Sequence, residues 1–375
     1  MRVALVCPYS LSRPGGVQGQ VLGLARALEA RGHDALVVAP ADGPVEARGL
    51  SPATVVPAGR SVPVRANGSV APVSLDPVGA ARALRTVRRA GVDVVHLHEP
   101  LAPGAGYGFL LGRTAPLIGT FHRSGASTGY RLLGPVARWA ARRLDVRCAV
   151  SPEARVTAAE ALGGSYEIVG NGVEFERLES AVPWPTVGPT VLFVGRHERR
   201  KGLGVLLDAF RTSGVDRSVP RCTLWVVGDG PETEALRART SADPQVVWVG
   251  RVGDDELAAR LRGADVLCAP SLGGESFGVV LLEAMAARAA VVASDLPGYA
   301  FVGRGHARLV APGDARAWSE ALTVTVNDVA RGTGLSAPGA LEDAYQHAAA
   351  WSMGRLAERY VEIYDGARAL RSRAG

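Results

Sequence analysis

Short apolar runs alternate with amphipathic stretches along almost the whole chain. Runs such as "RVALVCPY" (2–9) and "TVLFVGRH" (190–197) have the length and the β-branched content of buried strands. The stretch "VQGQVLGLARALEARG" (17–32) places its apolar residues at the spacing of one helix face. Strands that alternate with helices are typical of βαβ units in a parallel sheet, so the pattern predicts an α/β fold.

The predicted strands form two series, and a Pro-rich segment, "SAVPWPTVGP" (180–189), lies between them. In open parallel sheets ligands bind at the carboxyl ends of the strands, so we expect the site residues where strands end. The first series is "RVALVCPY", "DALVVAP", "VDVVHLHEP", "PLIGTFH" and "VRCAVS", and the second is "TVLFVGRH", "RCTLWVVGDG", "QVVWVGRV", "DVLCAPS", "AVVASDLPG" and "ARLVAPGD".

This pattern predicts two α/β domains with a cleft between them. The helix "SMGRLAERYVEIYDGARAL" (352–370) follows the last strand and is expected to cross back to the first domain. The predicted domains are residues 1–171 plus 351–375, and residues 172–350. A Pro- and Gly-rich segment, about residues 41–78, interrupts the first series, and we interpret it as an elaborated loop region.

Composition places the chain among soluble globular proteins. It has 375 residues, of which 47% are hydrophobic and 21% charged. No stretch reaches the roughly 18 apolar residues that a membrane span needs, and the first apolar run is too short for a signal sequence. We therefore expect a cytoplasmic protein. The four cysteines lie in strand-like contexts without CxxC spacing, which predicts buried thiols and neither zinc nor disulfides.

The formal net charge is +6, which indicates anionic partners such as a nucleotide, a nucleic acid or an anionic lipid. Of the 42 basic residues only Lys201 is a lysine. It stands in "GRHERRKG" with Arg196, at the end of a strand and the start of a helix, where the two cations could clamp a diphosphate. The alternative is a solvated basic turn.

A Gly pair, Gly15 and Gly16, precedes the first helix. Bare N–H groups at a helix start favour phosphate, although a plain tight turn is the alternative. The sequence G-G-x-x-G does not match the dinucleotide fingerprint G-x-G-x-x-G, so a nicotinamide enzyme is disfavoured.

Two acids, Glu275 and Glu283, border the apolar stretch "SFGVVLL". A buried carboxylate is costly unless it is paired. We predict that the N–H groups around Ser276 to Gly278 open a helix and bind phosphate oxygens, while the carboxylates accept sugar hydroxyls. On such a helix the two acids lie about 80° apart, so both could border one ligand. The alternative is a simple helix charge and a surface acid.

Three histidines end predicted strands of the first domain. His96 and His98 share one face of a strand and lack further metal ligands, which favours a structural role. His122 ends "LIGTFH", where a strand would meet the cleft, and its role is open between structural and catalytic.

The helix "PVGAARALRTVRRAG" (77–91) gathers its arginines mostly on one face. Such a helix can lie on an anionic membrane, and the alternative is an ordinary surface helix. Its arginines are Arg82, Arg85, Arg88 and Arg89, and Val78, Ala81, Leu84 and Val87 are expected to supply apolar surface beside them.

Taken together, these motifs resemble the retaining GT-B glycosyltransferases of glycosyltransferase family 4. The likeness extends to the actinobacterial phosphatidylinositol mannosyltransferases. The residues that carry it are "CPYSLSRPGGVQ", "NGSVA", "HLHEPLAP", "GTFH", "VGNGVE", "GRHERRKG", "CAPSLGGESFG" and the E-x7-E of Glu275 and Glu283.

The resemblance implies two Rossmann-like domains: an N-terminal domain for the acceptor and a C-terminal domain for the nucleotide sugar. It implies GDP-mannose as donor, phosphatidylinositol as acceptor, no metal at the diphosphate, and no nucleic-acid partner. The enzyme would work peripherally at the inner face of the cell membrane. The implied catalytic residues are Arg196, Lys201, His122 and Glu275. The implied donor-binding residues are Gly15, Gly16, Arg196, Lys201, Glu275, Ser276, Phe277, Gly278 and Glu283, and the implied acceptor-binding residues are Tyr9, Gln18, Asn67, Ser69 and Arg123.

The chain departs from those mannosyltransferases around the acceptor. They carry an aromatic residue before "NGSVA" and a basic one after it, where this chain has Ala66 and Pro72. They also carry a lysine after "FH", for which Arg123 is expected to substitute. Two alternatives therefore stay open: a family 4 transferase with another sugar nucleotide and another acceptor, and a nonenzymatic sugar-nucleotide-binding protein.

Overall fold

The computed structural model describes residues 1–13, 15–43, 49–66, 69–125, 134–213, 215 and 222–374. The chain divides into two compact units. The first comprises residues 1–172 and 353–375, and the second comprises residues 173–352.

The first unit contains a seven-stranded sheet in which all neighbouring strands are parallel. Its strand order is β3-β2-β1-β6-β7-β8-β9. The inner strands are buried on both faces, which explains why they read as continuous apolar runs. The strands are β1 (Arg2–Val6), β2 (Asp34–Ala39), β3 (Val55–Pro57), β6 (Val94–His98), β7 (Leu117–Phe121), β8 (Val146–Ala149) and β9 (Glu167–Ile168).

Each predicted strand of the first series is present, and each ends before its apolar run does. Helices cover the sheet. A glycine N-cap starts α1, whereas side-chain oxygens of Asp76 and Ser151 cap α2 and α5. The helices are α1 (Gly16–Glu29), α2 (Pro77–Arg89), α3 (Gly106–Gly112), α4 (Gly134–Ala141) and α5 (Pro152–Leu162).

The interpretation of residues 41–78 as an elaborated loop was wrong in part. This segment holds β3, which extends the sheet by pairing with β2, and an antiparallel hairpin of β4 (Val62–Ala66) and β5 (Ser69–Val73). The hairpin touches the loop after β1, because Ser10 donates its N–H to the Pro72 carbonyl at 2.8 Å. Proline content concealed these strands, since proline is tolerated in edge strands and two-stranded hairpins.

The C-terminal helix packs in the first unit, as predicted. Met353–Ala374 forms one helix of 22 residues, which is called α14 below. Its apolar residues, among them Tyr360 and Tyr364, lie in the same buried cluster as Leu24 and Leu28 of α1. The buried cluster gives this helix a stable place, because each fully buried large side chain contributes about 1.5–3 kcal/mol.

The second unit has a six-stranded parallel sheet with the order β12-β11-β10-β13-β14-β15. Counted within the unit this order is 3-2-1-4-5-6, that of the Rossmann fold. All six predicted strands are present. They are β10 (Thr190–Val194), β11 (Thr223–Val227), β12 (Val246–Gly250), β13 (Val266–Ala269), β14 (Ala290–Ser294) and β15 (Ala307–Val310).

The Pro-rich segment 180–189 lies inside the second unit, where it is fixed by packing. The Arg260 guanidinium stacks on the Trp184 ring at 3.8 Å, and Trp184 donates its backbone N–H to the Ala259 carbonyl at 2.9 Å. The helices of this unit are α6 (Phe175–Ser180), α7 (Leu203–Thr212), α8 (Thr233–Arg239), α9 (Asp254–Gly263), α10 (Val279–Ala286), α11 (Pro297–Gly303), α12 (Ala315–Arg331) and α13 (Pro338–Ala349).

All four cysteines lie in the described part of the chain, and all are buried thiols, as predicted. Burial raises the pKa of the Cys7 thiol to about 12, because the thiolate would lose its water. These thiols therefore act as small apolar core residues.

Candidate active site

The loop after β10 brings the two predicted cations to the edge of the second sheet. Arg196 follows Gly195 directly after the strand, and Lys201 ends the 3-10 turn Arg199–Lys201. Gly202 then adopts a φ of 68°, and a Cβ at this position would overlap the carbonyl oxygen of Pro270. Glycine is therefore required here, and its presence lets the loop after β10 lie against the loop after β13.

The two loops meet at Glu275. Its Oε1 lies 2.7 Å from Nζ of Lys201 and 3.1 Å from Nη1 of Arg200, and the Ser271 hydroxyl donates to the same oxygen at 3.2 Å. The Ser271 hydroxyl is in turn 3.0 Å from the hydroxyl of the buried Tyr299. Glu275 is thus held by two cations and a hydroxyl. It precedes α10, as the sequence predicted.

A second carboxylate, which the sequence analysis missed, organises the remaining cations. Glu198 is buried, and its two oxygens pair with Nη2 of Arg196 at 2.8 Å and with Nε of Arg200 at 3.1 Å. Its only signal in the sequence was its position among basic residues, between Arg196 and Arg199. Three cations and two carboxylates therefore form one network, called the cation cluster below: Arg196, Glu198, Arg200, Lys201 and Glu275. Its excess of positive charge suits an anionic group.

The helix after Glu275 begins later than predicted. α10 starts at Val279, with Gly278 as its N-cap at a φ of 107°, so Ser276 lies ahead of the helix. The Phe277 side chain is buried against the rings of Phe301 and Trp351, so only its backbone is available to a ligand. The N–H groups that a helix start offers to a ligand are therefore expected at Gly278 and the first two residues of α10, since the Leu281 N–H donates to the Gly278 carbonyl at 3.0 Å.

Glu283 lies on the second turn of α10 and is partly buried. Burial, together with the carboxylates of Glu174 and Asp254, raises its pKa to about 7, although the charge of Arg177 lowers it. Arg177 pairs with Glu174 at 2.6 Å and with Asp254 at 3.2 Å. A carboxyl group in this state is poised to accept a hydrogen bond from a ligand hydroxyl, which would compensate for its lost water.

In the first unit a buried acid, Glu99, organises the ends of β6 and β7. Its Oε1 accepts the backbone N–H of His122 at 2.6 Å, and its backbone has a φ of 48°, which is rare for a residue other than glycine. Burial raises the pKa of Glu99 to about 7, although its hydrogen bond with His122 and the charge of Arg123 lower it. Charge interactions with Glu99 and Arg123 also reach Tyr9. Three predicted site residues, His122, Arg123 and Tyr9, therefore interact with Glu99, an acid for which the sequence indicated no role.

The histidines of β6 and β7 form a chain of contacts. Nδ1 of His98 is 2.9 Å from Nε2 of His122, so one ring donates to the other. Burial lowers the pKa of His122 to about 4, so this ring is neutral at physiological pH. His96 contacts the hydroxyls of Tyr364 and Thr120, both at 2.7 Å, so its ring is bonded within the core of the first unit. Within the described residues, Nε2 of His98 has no hydrogen-bond partner.

The Gly-rich loop after β1 is held by Gln18. This buried amide donates to the carbonyls of Ser10 at 3.3 Å and Arg13 at 3.2 Å, so it fixes the loop. A Cβ on Gly15 would overlap the Gln18 side chain, whereas the space beside Gly16, the first residue of α1, is open. Packing within the unit therefore does not require glycine at position 16. The close approach of a ligand to the backbone would require it.

The side chains of two predicted acceptor residues lie outside the described part of the structure. Asn67 lies outside the described residues, and Ser69 is described only as the first residue of β5.

The arginines of α2 are exposed, but the predicted apolar surface beside them needs a correction. Val87 is fully buried together with Ala83, since this side of α2 packs in the core. The other three predicted residues reach the surface: Val78 is 62% exposed, Ala81 is exposed and Leu84 is partly exposed. The exposed arginines are Arg82, Arg85, Arg88 and Arg89.

The described residues show neither a metal centre nor a membrane span. No group of three or more His, Cys, Asp or Glu side chains in this part of the chain is arranged to hold a metal ion. None of the helices within it combines the length and apolar character that crossing a membrane requires.

Comparisons with known proteins agree with this architecture. A family model described as Glycosyltransferase Family 4 matches residues 14–177, and one described as Glycosyl transferases group 1 matches residues 188–328. The chain is 40% identical to the phosphatidyl-myo-inositol mannosyltransferase of Mycobacterium leprae, over 97% of this chain and 96% of that protein. It is 38% identical to the protein of that name from Mycobacterium tuberculosis, over 97% of each.

Solved structures share the fold at low identity. Anabaena HepE in complex with UDP and glucose matches with a TM-score of 0.73 at 16% identity, over 98% of this chain and 100% of that one. Sucrose-phosphate synthase from Thermosynechococcus elongatus matches with a TM-score of 0.72 at 22% identity, over 98% and 99%. Two Rossmann-like units with a C-terminal helix returned to the first define a glycosyltransferase of the GT-B class.

The chain belongs to glycosyltransferase family 4 and is similar over nearly its full length to proteins named phosphatidyl-myo-inositol mannosyltransferase. It is therefore an enzyme, a hexosyltransferase.

Replacing Gly16 by alanine tests whether a ligand approaches this backbone. Alanine fits the open space and favours a helix over glycine by up to about 1 kcal/mol, so we expect equal or higher stability. A methyl group would nevertheless block a phosphate, so we expect glycosyl transfer to fall roughly tenfold or more. The matched control is Gly366→Ala, at an exposed position of α14 that also has open space. Equal activity in both variants would show that Gly16 contacts no ligand.

Glu99 gives a prediction for pH. Its pKa is about 7 in the folded protein and about 4.5 in the unfolded chain, so the folded state binds more protons between these values. Its contribution therefore lowers stability as pH rises through this window, by on the order of 3 kcal/mol above pH 7. Glu99→Gln keeps the acceptor oxygen and removes the charge, so it should unfold at a higher temperature than the parent at pH 8.

The gap between Glu99→Gln and the parent should narrow toward pH 4.5 and close below it, where the parent carboxyl is protonated in both states. Thermal unfolding followed by circular dichroism across this range measures it. A gap that is constant with pH would contradict the raised pKa.

Proposed function

We propose that this enzyme transfers mannose from GDP-mannose to the inositol of phosphatidylinositol, with retention of configuration, at the inner face of the cytoplasmic membrane. The observation that carries the proposal is the 40% identity, over 97% of the chain, to a protein named phosphatidyl-myo-inositol mannosyltransferase. On this proposal the second unit binds the nucleotide sugar and the first binds the acceptor.

The cation cluster supplies the electrostatic part of the mechanism. The leaving GDP develops negative charge on its diphosphate, and on this proposal Arg196 and Lys201 would neutralise it without a metal ion. The N–H groups at the start of α10 would add neutral donors to the same phosphates. Because the cations are already held by Glu198 and Glu275, they need little reorganisation when the donor binds.

The carboxylates recognise hydroxyl groups. Glu275 would leave part of its pairing with Lys201 to accept hydroxyls of the mannose, and Glu283 would accept those of the ribose. In the first unit, His122 is neutral and hydrogen-bonded through Nε2, so its Nδ1 is the ring atom that could contact a ligand. With no nucleophile identified, a front-face reaction is favoured, in which the acceptor hydroxyl enters on the side from which GDP leaves.

Another acceptor is the second candidate, because this chain departs from the mannosyltransferases around "NGSVA". The carbonyl of Pro72 holds the loop after β1, so this position is part of the framework of the acceptor region. A changed framework here would alter which acceptor binds and leave donor chemistry unchanged.

The deciding experiment is transfer from a panel of radiolabelled sugar nucleotides, with phosphatidylinositol, another anionic lipid or free inositol as acceptor. We expect transfer from GDP-mannose to phosphatidylinositol, undiminished by EDTA, with an α-linked product by NMR. Preference for another donor, or transfer only to a soluble acceptor, would overturn the proposal and favour the alternative. Inhibition by EDTA would overturn the metal-free handling of the diphosphate.

The arginines of α2 are expected to hold the enzyme on anionic lipid. Each arginine near such a surface contributes about 1 kcal/mol, so replacing all four by glutamine should weaken vesicle binding about 100-fold or more. Binding of the parent should also weaken with added salt. Co-sedimentation with phosphatidylglycerol or phosphatidylcholine vesicles at low salt measures this. The control variant replaces four exposed arginines of the second unit: Arg237, Arg239, Arg316 and Arg331. Equal binding to both lipids, or equal loss in the control variant, would rule α2 out.

A further inference from the structure

A second helix of the first unit, α4, exposes an aromatic and aliphatic patch that the proposed function does not use. α4 buries Ala137, Ala140 and Ala141 against the unit. Its opposite side exposes 57% of Val136 and 46% of Trp139. Exposed apolar side chains that adjoin one another form a patch, which can serve as a contact surface.

Arg143 connects this patch to the end of α3. Its guanidinium lies 5.0 Å from the Trp139 ring centre, and it donates to the carbonyls of Leu110 at 2.6 Å and Leu111 at 3.2 Å. The Leu111 side chain is 63% exposed. Trp139 and Leu111 therefore both adjoin Arg143 on one surface. The α4 surface, as it is called below, consists of Leu111, Val136, Arg138, Trp139, Arg142 and Arg143.

The stretch of sequence that carries this patch has charges of one sign. Between Glu99 and Asp145 the sequence contains no acidic residue and six arginines, of which Arg138 is exposed on α4 and Arg142 is exposed directly after it. A tryptophan beside exposed aliphatic side chains, framed by arginines, has the composition of a membrane-interface anchor. A partner that fits this surface has to offer negative charge to the arginines and apolar groups to the tryptophan. An anionic lipid surface offers both.

The α4 surface is also continuous with α2. Arg88 of α2 reaches α3, since its Nη2 lies within 2.7 Å of where a Cβ on Gly112 would stand. Gly112 directly follows Leu111, so the exposed arginines of α2 and the α4 surface adjoin the same end of α3.

We propose that the α4 surface binds an anionic lipid bilayer, with Trp139 and Val136 entering the headgroup region and Arg138 and Arg142 pairing with lipid phosphates. It deepens the proposed function, because it adds a second contact with the membrane at which the enzyme is proposed to work. α2 would supply mainly charge, whereas α4 would supply the apolar anchor.

The test uses the full-length protein and vesicles of equal parts phosphatidylglycerol and phosphatidylcholine. We expect Trp139→Ala with Val136→Ser to lower the partition onto these vesicles roughly tenfold, with α2 unchanged. The matched control is Val156→Ser, because Val156 of α5 is 47% exposed but its helix carries Glu153 and Glu160. Brominated lipids should quench the fluorescence of the parent more than that of Trp139→Phe, which locates the ring in the bilayer.

Each outcome separates this inference from the proposed function. If the parent binds and transfers mannose but the α4 variant binds equally well, or Trp139 is not quenched, the α4 contact is overturned and the proposed function stands. If the parent does not bind these vesicles, the inference is overturned together with the membrane location. If the α4 variant changes only self-association in sedimentation velocity, the surface is a contact between copies of the chain and the inference is wrong.

Discussion

Lys201→Ala is expected to lower turnover by about two to three orders of magnitude while the protein remains folded. Loss of one close donor to charge developing in a preorganised site costs roughly 2.7–4 kcal/mol of transition-state stabilisation. The fold should survive, because Glu275 keeps its contacts with Arg200 and Ser271. The measurement is turnover at saturating GDP-mannose and phosphatidylinositol, with the unfolding temperature recorded beside it.

The 3-10 turn itself offers a control for Lys201. Arg199 carries the same charge two residues earlier and is exposed, so Arg199→Ala should change turnover by less than about twofold. A folded Lys201→Ala protein with parental turnover would remove this lysine from the diphosphate site. A similar loss in both variants would mean that general positive charge, rather than the placement of Lys201, matters.

Glu275→Gln is expected to reduce transfer roughly 10- to 100-fold, because a hydrogen bond to a charged group contributes about 1.5–3 kcal/mol. The amide can still accept from Ser271, so the unfolding temperature should change little. If Glu275 were only a charge at a helix start, activity would be kept and stability would fall by up to about 1 kcal/mol. The structure disfavours that alternative, because α10 begins only at Val279.

Asp255→Asn provides the comparison for Glu275. Asp255 is an exposed acid in the first turn of α9, so its loss should cost a few tenths of a kcal/mol in stability and leave transfer unchanged. Steady-state kinetics and thermal unfolding of both variants distinguish a ligand group from a helix charge. Identical behaviour of the two variants would contradict the role proposed for Glu275.

Local sequence patterns were sufficient for most of the fold. Strand and helix periodicity depends on neighbouring residues alone, so the inner strands and the C-terminal helix could be predicted. The outer pieces could not: β3 has three residues and β9 has two, and both depend on pairing with a neighbouring strand. Arg288 shows another limit, since it adopts a φ of 62° where the family usually has glycine. Its guanidinium stacks on Tyr345 at 3.7 Å and pairs with Glu342 at 2.8 Å, contacts that only the folded chain provides.

The candidate site divides in the same way. The sequence by itself determined which residues stand at strand ends, because the end of an apolar run marks the end of a strand; Arg196, Lys201 and His122 were found so. Tertiary structure decided which of these residues meet. β10 and β13 are neighbours in the second sheet, although they are distant in sequence, so Lys201 meets Glu275. β6 and β7 are neighbours in the first, so Glu99 meets His122. Strand order follows from the packing of the whole sheet, and no local pattern records it.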